Sequence, residues 1–321
     1  MITTLPARLR TLTLLVVLAV LAPQAGQAVA PPSPGFSGDR AFTQLKTLCD
    51  MGPRVPGSPA ARKAGDWLLA RLRACGDEVW EQPFTHVVSK KHPMAKGNPQ
   101  WTSKGLGMRN IVCRFKPKAT RRLLLAAHWD SRPFADMDPD KTKRSQAVLG
   151  ANDAASGVAI LLELARCLKA KAPGMGVDIV LFDGEDWGQQ GHLEDYFLGS
   201  KAYARAMTRP LPEAGILLDM VGDRNLRLPM EPFSLQAAPD LMERLWSTAE
   251  RLGYGHIFIR EMGPGVQDDH LPIIQRGVPM VDLIDFDYPQ WHTVRDTPAA
   301  CSPASLDVVG KVVEALIRQG L

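Results

Sequence analysis

The stretch VLFDGEDWG, residues 180–188, ends an apolar run in three crowded carboxylates, Asp183, Glu185 and Asp186. Carboxylates this close repel one another, and beside apolar side chains their ionised forms are costly unless a cation sits among them. A bound metal answers that need. In this reading Asp186 ligates it, the adjacent Glu185 faces substrate as a general acid/base, and Asp183 is structural, satisfied by backbone donors near the turn. One metal-bound carboxylate beside one free carboxylate is what hydrolysis or acyl transfer at neutral pH requires. Other apolar runs end in matching chemistry. His128 and Asp130 follow LLLAA, Asp219 closes AGILLD, His292 comes after VPMVDLI and a short loop, and Asp153 opens a helical pattern after VLGAN. Taken singly, each has a plainer explanation: an acidic surface turn, a helix cap at Asp153, a solvated His292. Taken together they are a set of nitrogen and oxygen ligands without thiolates, which suits zinc or another divalent metal.

Such residues need elements that deliver them to one place. RLLLAAH, VDIVLFD, AGILLDM and VPMVDLI are short continuous apolar runs, the pattern of strands buried on both faces. Helical patterns separate them: DAASGVAILLELARCLKA, GSKAYARAM, APDLMERLWSTAERLG and DHLPIIQR. A last helix, SPASLDVVGKVVEALIRQ, has Ser302 as its cap and Pro303 at its first position. An early helix is predicted in PGSPAARKAGDWLLARLRACG, capped by Ser58, with an apolar stripe through Trp67, Leu68 and Leu72. SKKHPMAKGNPQWTSKGLG is a basic, Gly- and Pro-rich loop. The alternation predicts a single α/β domain over residues 42–321, with a largely parallel central sheet flanked by helices. Ligands in such sheets bind beyond the carboxyl ends of the strands, and four of these runs carry a His or a carboxylate there.

Composition excludes some classes. Lys plus Arg total 38 and Asp plus Glu 34, no nucleic-acid signature. The five cysteines show no CxxC spacing, so no thiolate zinc site is implied. Residues 1–30 have the form of a bacterial signal peptide: Arg8 and Arg10, the apolar run TLTLLVVLAVLAP, and the small residues AVA before the expected cleavage point. The apolar run is short for a membrane span, so the expectation is export to the periplasm or medium without a stable membrane anchor. Residues 31–41, rich in Pro, Gly and Ser at their start, are expected to be a flexible leader.

The motifs also carry a family resemblance. HWDS, GANDAASG, FDGEDWG, LLDMVG, QDDHLPIIQRGVP and WHTVRDT resemble, in that order, the zinc-dependent glutaminyl-peptide cyclotransferases, which share a fold with co-catalytic zinc aminopeptidases. The resemblance runs from about Phe42 to the C-terminus. It implies one zinc per chain on Asp153, Asp186 and His292, with Glu185 as the catalytic acid/base. It further implies an assisting carboxylate pair, Asp219 and Asp268, and substrate contacts from Gln267 and Trp291. The substrate class implied is peptides or proteins with an N-terminal glutamine. Trp187 and Tyr288 are further candidates for the substrate pocket and its entrance, and Trp129 a weaker one. The charged loop Arg132–Val148 is either a lid or a solvated loop, and His270 has a structural role at a helix start. This chain departs from animal members in carrying Asp186 where they have Glu, and Ala127 where they have a disulfide cysteine.

Two alternatives remain. In the related aminopeptidases His128 and Asp219 complete a second metal position bridged by Asp153, whereas in the cyclases they form a hydrogen-bond network, with Asp130 orienting His128. The extra Asp in QDDHLP and the Trp291–His292 pair favour the cyclase. A non-catalytic peptide-binding protein on the same fold is disfavoured because Glu185 is present.

Overall fold

Four apolar runs become parallel neighbours in the sheet. The structure, a computed structural model, describes residue 1, residues 35–189 and residues 191–320. In chain order its elements are α1 (Gly38–Cys49), α2 (Pro59–Arg73), β1 (Glu78–His86), β2 (Leu106–Phe115), β3 (Arg122–His128), α3 (Ala155–Ala170), β4 (Gly176–Phe182), α4 (Leu198–Ala206), β5 (Ala214–Asp219), β6 (Leu228–Met230), α5 (Pro232–Ala237), α6 (Pro239–Arg251), β7 (Phe258–Met262), α7 (His270–Gln275), β8 (Met280–Ile284) and α8 (Pro303–Gln319). The main sheet has the order β1-β2-β4-β3-β5-β8, and β6 pairs with β7 apart from it. The β4–β3, β3–β5 and β5–β8 pairings are parallel. The β1–β2 and β2–β4 pairings are antiparallel, so the sheet is mixed.

Both faces of the central strands are covered, as their unbroken apolar sequences require. Successive side chains alternate between faces. Leu123, Leu125, Ile179, Leu181 and Ile216 enter the large core shared with α1, α2, α3, α6 and α8. Leu124, Ala126, Val180, Phe182 and Leu217 enter a smaller core beneath α4 and α7. Ser58 and Ser302 cap α2 and α8 through their side chains, each with Pro in the first turn.

The structure corrects and adds to the sequence reading. The segment 31–41 is not leader throughout: α1 begins at Gly38, capped by Ser37, and Phe36 is buried against Gly310 of α8. A Cβ at Gly310 would lie 2.0 Å from the Phe36 ring, so this contact needs glycine. Strands β1 and β2 were not legible as apolar runs: β1 is an edge strand with both faces partly exposed, and β2 carries Arg109, Asn110 and Arg114 among its apolar residues. All five cysteines are free thiols. The expected signal peptide, apart from residue 1, and residues 31–34 lie outside the described residues. Among those described, no helix is long and apolar enough to cross a membrane.

One buried charge holds the site loop to this frame. Arg54 is fully buried and donates to the carbonyls of Trp129 (2.8 Å), Leu149 (2.9 Å) and Gly150 (2.7 Å), while its own N–H donates to Ser131 Oγ (2.9 Å). It thereby ties the end of β3 to the start of α3. Hydrogen bonds to charged groups each contribute about 1.5–3 kcal/mol. Arg54→Met is expected to destabilise the fold by about 3 kcal/mol or more, read as a lowered urea midpoint.

Candidate metal centre and active site

The carboxyl ends of β3, β4 and β5 lie side by side and deliver His128, the 183–186 turn and Asp219. The turn after β4 needs glycine at Gly184, whose φ is +71°. Asp183 accepts the Arg109 N–H at 2.9 Å and serves the turn. Asp130 accepts the N–H groups of Glu185 (3.1 Å) and Asp186 (3.2 Å). From the other side, Phe197 N–H donates to Glu185 O and Leu198 N–H to Gly184 O. The Glu185–Asp186 pair is therefore held by backbone bonds, leaving both side chains free to point at chemistry.

Asp153 arrives from the start of α3. That helix lies so close to β5 that a Cβ at Gly157 would sit 2.1 Å from Leu218 O. Asn152 Oδ1 accepts the Gly222 N–H at 2.7 Å, and Ser156 Oγ accepts that of Val221 at 3.2 Å. Beneath, Asp296 accepts the N–H groups of Asn152 (2.8 Å) and Asp153 (3.2 Å) and the Tyr288 hydroxyl (2.7 Å). His292, with φ +53°, comes from the loop after β8.

Asp153, Asp186 and His292 meet with one ligand atom each inside a 4.8 Å span. His292 Nε2 is 3.3 Å from Asp186 Oδ1 and 3.6 Å from Asp153 Oδ2. Asp186 Oδ2 is buried without a hydrogen-bond partner. Two buried carboxylates facing each other, one with an orphaned oxygen, beside an imidazole nitrogen fit a divalent cation of zinc's preferences. Burial and then the Asp186 charge push the Asp153 carboxyl up. Burial opposes ionisation of Asp186 too, but His292 and Arg132 outweigh it and hold that carboxyl below its ordinary range.

Around this triad, His128 Nε2 lies 3.0 Å from Asp153 Oδ1 and 3.1 Å from Asp219 Oδ1. Its Nδ1 is 3.5 Å from Asp130 and 3.8 Å from Glu185. Burial opposes charge on His128, yet hydrogen bonds to Asp130, Asp153 and Asp219 hold its pKa well above the usual value. Burial, and then Asp186, push the Glu185 carboxyl well above its ordinary range. Asp268 is raised by burial and by Asp219. A cavity of about 310 Å³ opens here, bounded by Asp153, Glu185, Asp186, Asp219, Gln267, Asp268, Trp291 and His292. Trp291 stacks on His292 at 3.9 Å between ring centroids.

Three predicted pocket residues are elsewhere. Trp187 is fully buried, does not line the cavity, and stacks on His92 at 4.6 Å, because the 183–188 turn sends its ring into the apolar cluster of Val55, Met108 and Leu198. Tyr288 is buried below the cavity, where its hydroxyl supports Asp296 instead of edging the entrance. Trp129 is likewise buried away from it. Sequence reasoning missed Arg132, Asp136, Tyr196 and Phe286, which line the cavity, and Asp296. It also missed a fully buried group behind Asp268, in which His270 faces Glu231 (3.5 Å) and Asp282 (3.6 Å). An acidic residue inside an apolar strand run, Asp282 in VPMVDLI, was the available signal for that group.

A parallel-sheet edge bearing an Asp–Asp–His triad that could hold a metal ion, with a glutamate beside it, has the make-up of a site for metal-assisted acyl transfer or hydrolysis. Residues 110–317 match the model of peptidase family M28, and the chain belongs to that family. A glutaminyl-peptide cyclotransferase of Bos taurus is 27% identical over 301 residues, covering 84% of this chain and 78% of the relative. The crystal structure of Porphyromonas gingivalis glutaminyl cyclase superposes with a TM-score of 0.80 at 40% identity, covering 87% of this chain and 97% of that one. A leucine aminopeptidase precursor from Bacteroides thetaiotaomicron superposes with a TM-score of 0.82 at 35% identity, covering 90% and 99%.

Proposed function

We propose that this protein cyclises the N-terminal glutamine of peptides and proteins to pyroglutamate with release of ammonia, using one zinc held by Asp153, Asp186 and His292. The observation that carries the reading is the arrangement of Glu185, Asp219 and Asp268 around one small cavity beside that triad. The named cyclotransferase relatives support it. When bound, zinc supplies Lewis-acid polarisation of the glutamine γ-carbonyl.

The chain's own residues do the rest. The substrate's α-amine is the nucleophile, so no activated water is required. Its nitrogen bonds to the side-chain carboxamide carbon, Cδ, the bond from Cδ to the amide nitrogen breaks, and ammonia leaves. Glu185 takes a proton from the amine and returns it to the departing nitrogen, a role for which a carboxyl pushed up by burial is suited. Asp219 and Asp268 border the proton path, His128 holds Asp219 in place at 3.1 Å, and Gln267 and Trp291 close the pocket around the flexible side chain. Confining that chain near its own amine lowers the barrier through orientation.

The aminopeptidase alternative keeps one specific observation. His128, Asp153 and Asp219 also offer ligand atoms within 4.8 Å, a second metal position bridged by Asp153. The purified enzyme is to be offered Gln-peptides and unblocked amino-acid amides side by side, with products identified by mass. Loss of ammonia from the Gln-peptide alone is expected. Release of free amino acids would transfer the assignment to the peptidase.

The form of residues 1–30 supports export to the periplasm or medium. Sequencing of the mature protein is expected to start near Pro31, and a mature chain starting at Met1 would contradict cleavage.

A further inference from the structure

The segment from Arg132 to Asp138 joins both ends of the metal triad. Arg132 is buried, and its Nη1 donates to Asp186 Oδ1 at 2.7 Å. Its Nε and Nη2 donate to the two oxygens of Asp136 at 2.7 and 2.6 Å, and Nη2 also reaches the Tyr196 hydroxyl at 3.1 Å. Asp136 Oδ1 lies 3.7 Å from His292 Nδ1. The backbone repeats the connection: Met137 N–H donates to His292 O at 3.2 Å, and Asp138 accepts the Val294 N–H at 3.1 Å. The loop read from sequence as either a lid or a solvated loop is tied down at its root, by Val148 N–H to Arg132 O (3.0 Å) and Ala135 N–H to Gln146 O (2.8 Å).

We propose that Arg132 and Asp136 are the positioning pair of the zinc site. Arg132 anchors the Asp186 carboxylate through Oδ1, the oxygen that lies 3.3 Å from His292 Nε2, and Asp136 sets its negative charge 3.7 Å from His292 Nδ1, on the side away from the triad, leaving Nε2 to ligate. The proposal rests on the zinc reading above. Its logic is that of a ligand's outer partners: a carboxylate near the far nitrogen favours the histidine tautomer that leaves Nε2 to the metal, and a fixed donor on a ligating carboxylate holds its orientation. Asp186 makes the device necessary, since its short side chain has little freedom to find the metal unaided. The pair is also balanced in charge. Arg132 alone would place an uncompensated cation against a zinc ligand, and Asp136 cancels it through a bidentate contact. Neither residue is assigned contact with the reacting atoms.

The test measures zinc dissociation constants by chelator competition on wild type, Asp136→Asn, Arg132→Met, Arg132→Lys and the double variant Asp136→Asn/Arg132→Met. Each single variant is expected to weaken zinc by about 10–100-fold, the usual effect of losing a ligand's outer partner. Arg132→Lys is expected to rank with Arg132→Met, because a single ammonium cannot span Asp186 and Asp136 in the same geometry. The double variant should lose less than the product of the singles, since the two act as one unit. Cobalt-substituted samples should show altered visible bands in the single variants, a change that general destabilisation does not produce. Unfolding midpoints of the zinc-free proteins identify any variant that has lost its fold. Where Arg132→Met does so, Arg132→Lys and Asp136→Asn decide the matter. Zinc affinities within about twofold of wild type in every folded single variant, with unchanged cobalt spectra, would overturn the proposal. A wild type that binds zinc tightly without cyclising glutamine would overturn the activity reading alone, and one that binds no zinc would overturn both.

Discussion

Glu185→Gln is expected to lower glutamine cyclisation by at least about 100-fold while leaving zinc bound, the lower bound for a lost general acid/base. The substitution is nearly isosteric and keeps a polar group at the turn. The structure explains why folding should tolerate it. The turn is positioned by the backbone N–H groups of residues 185 and 186 on Asp130 and by the carbonyl of residue 185 on Phe197 N–H, none of which uses the Glu185 side chain. Asp186→Asn should behave in the opposite order, losing zinc first and activity as a consequence. It also removes the acceptor of Arg132 Nη1. The measurements are steady-state turnover of a Gln-peptide and metal content of the same dialysed samples. Near-wild-type turnover by zinc-loaded Glu185→Gln would move the proton-transfer role to Asp219 or Asp268.

Asp153→Ala and His292→Ala are each expected to abolish stoichiometric zinc and activity together, since a three-ligand site cannot spare one. The stability consequence has an unusual sign. In the zinc-free protein burial and the neighbouring Asp186 charge make ionised Asp153 costly. Zinc-free Asp153→Ala should therefore unfold at no lower temperature than zinc-free wild type. Zinc at 100 times its Kd should stabilise wild type by about 2.7 kcal/mol and the variant not at all. Thermal unfolding with and without zinc checks this. Metal analysis of dialysed wild type is expected to find one zinc per chain. Two would favour the aminopeptidase, with His128 and Asp219 as ligands.

Much of this site was legible in the chain. Continuous apolar runs bounded by turn signals read as strands covered on both faces, such strands run parallel, and parallel strands end at a common edge. That reasoning brings His128, the 183–186 turn and Asp219 together without coordinates, and their chemistry asks for a cation. The caps at Ser58 and Ser302 were local signals and produced local structure. What tertiary structure alone decided was the direction of side chains whose partners are distant in sequence. Trp187 turns inward because His92 and Met108 form a wall for its ring there. Tyr288 faces Asp296, the carboxylate that accepts the N–H groups of Asn152 and Asp153 from 144 and 143 positions away.

Arg132 and Asp136 read in sequence as part of a charged loop, either a lid or solvated, since a charge run carries no sign of burial. Only the folded chain sets the Arg132 guanidinium 2.7 Å from Asp186, 54 residues away, and makes the loop a wall of the metal site. Local sequence encodes the period and the caps of each element. Which buried polar group satisfies which is settled only when distant segments close over one another and each must find a partner.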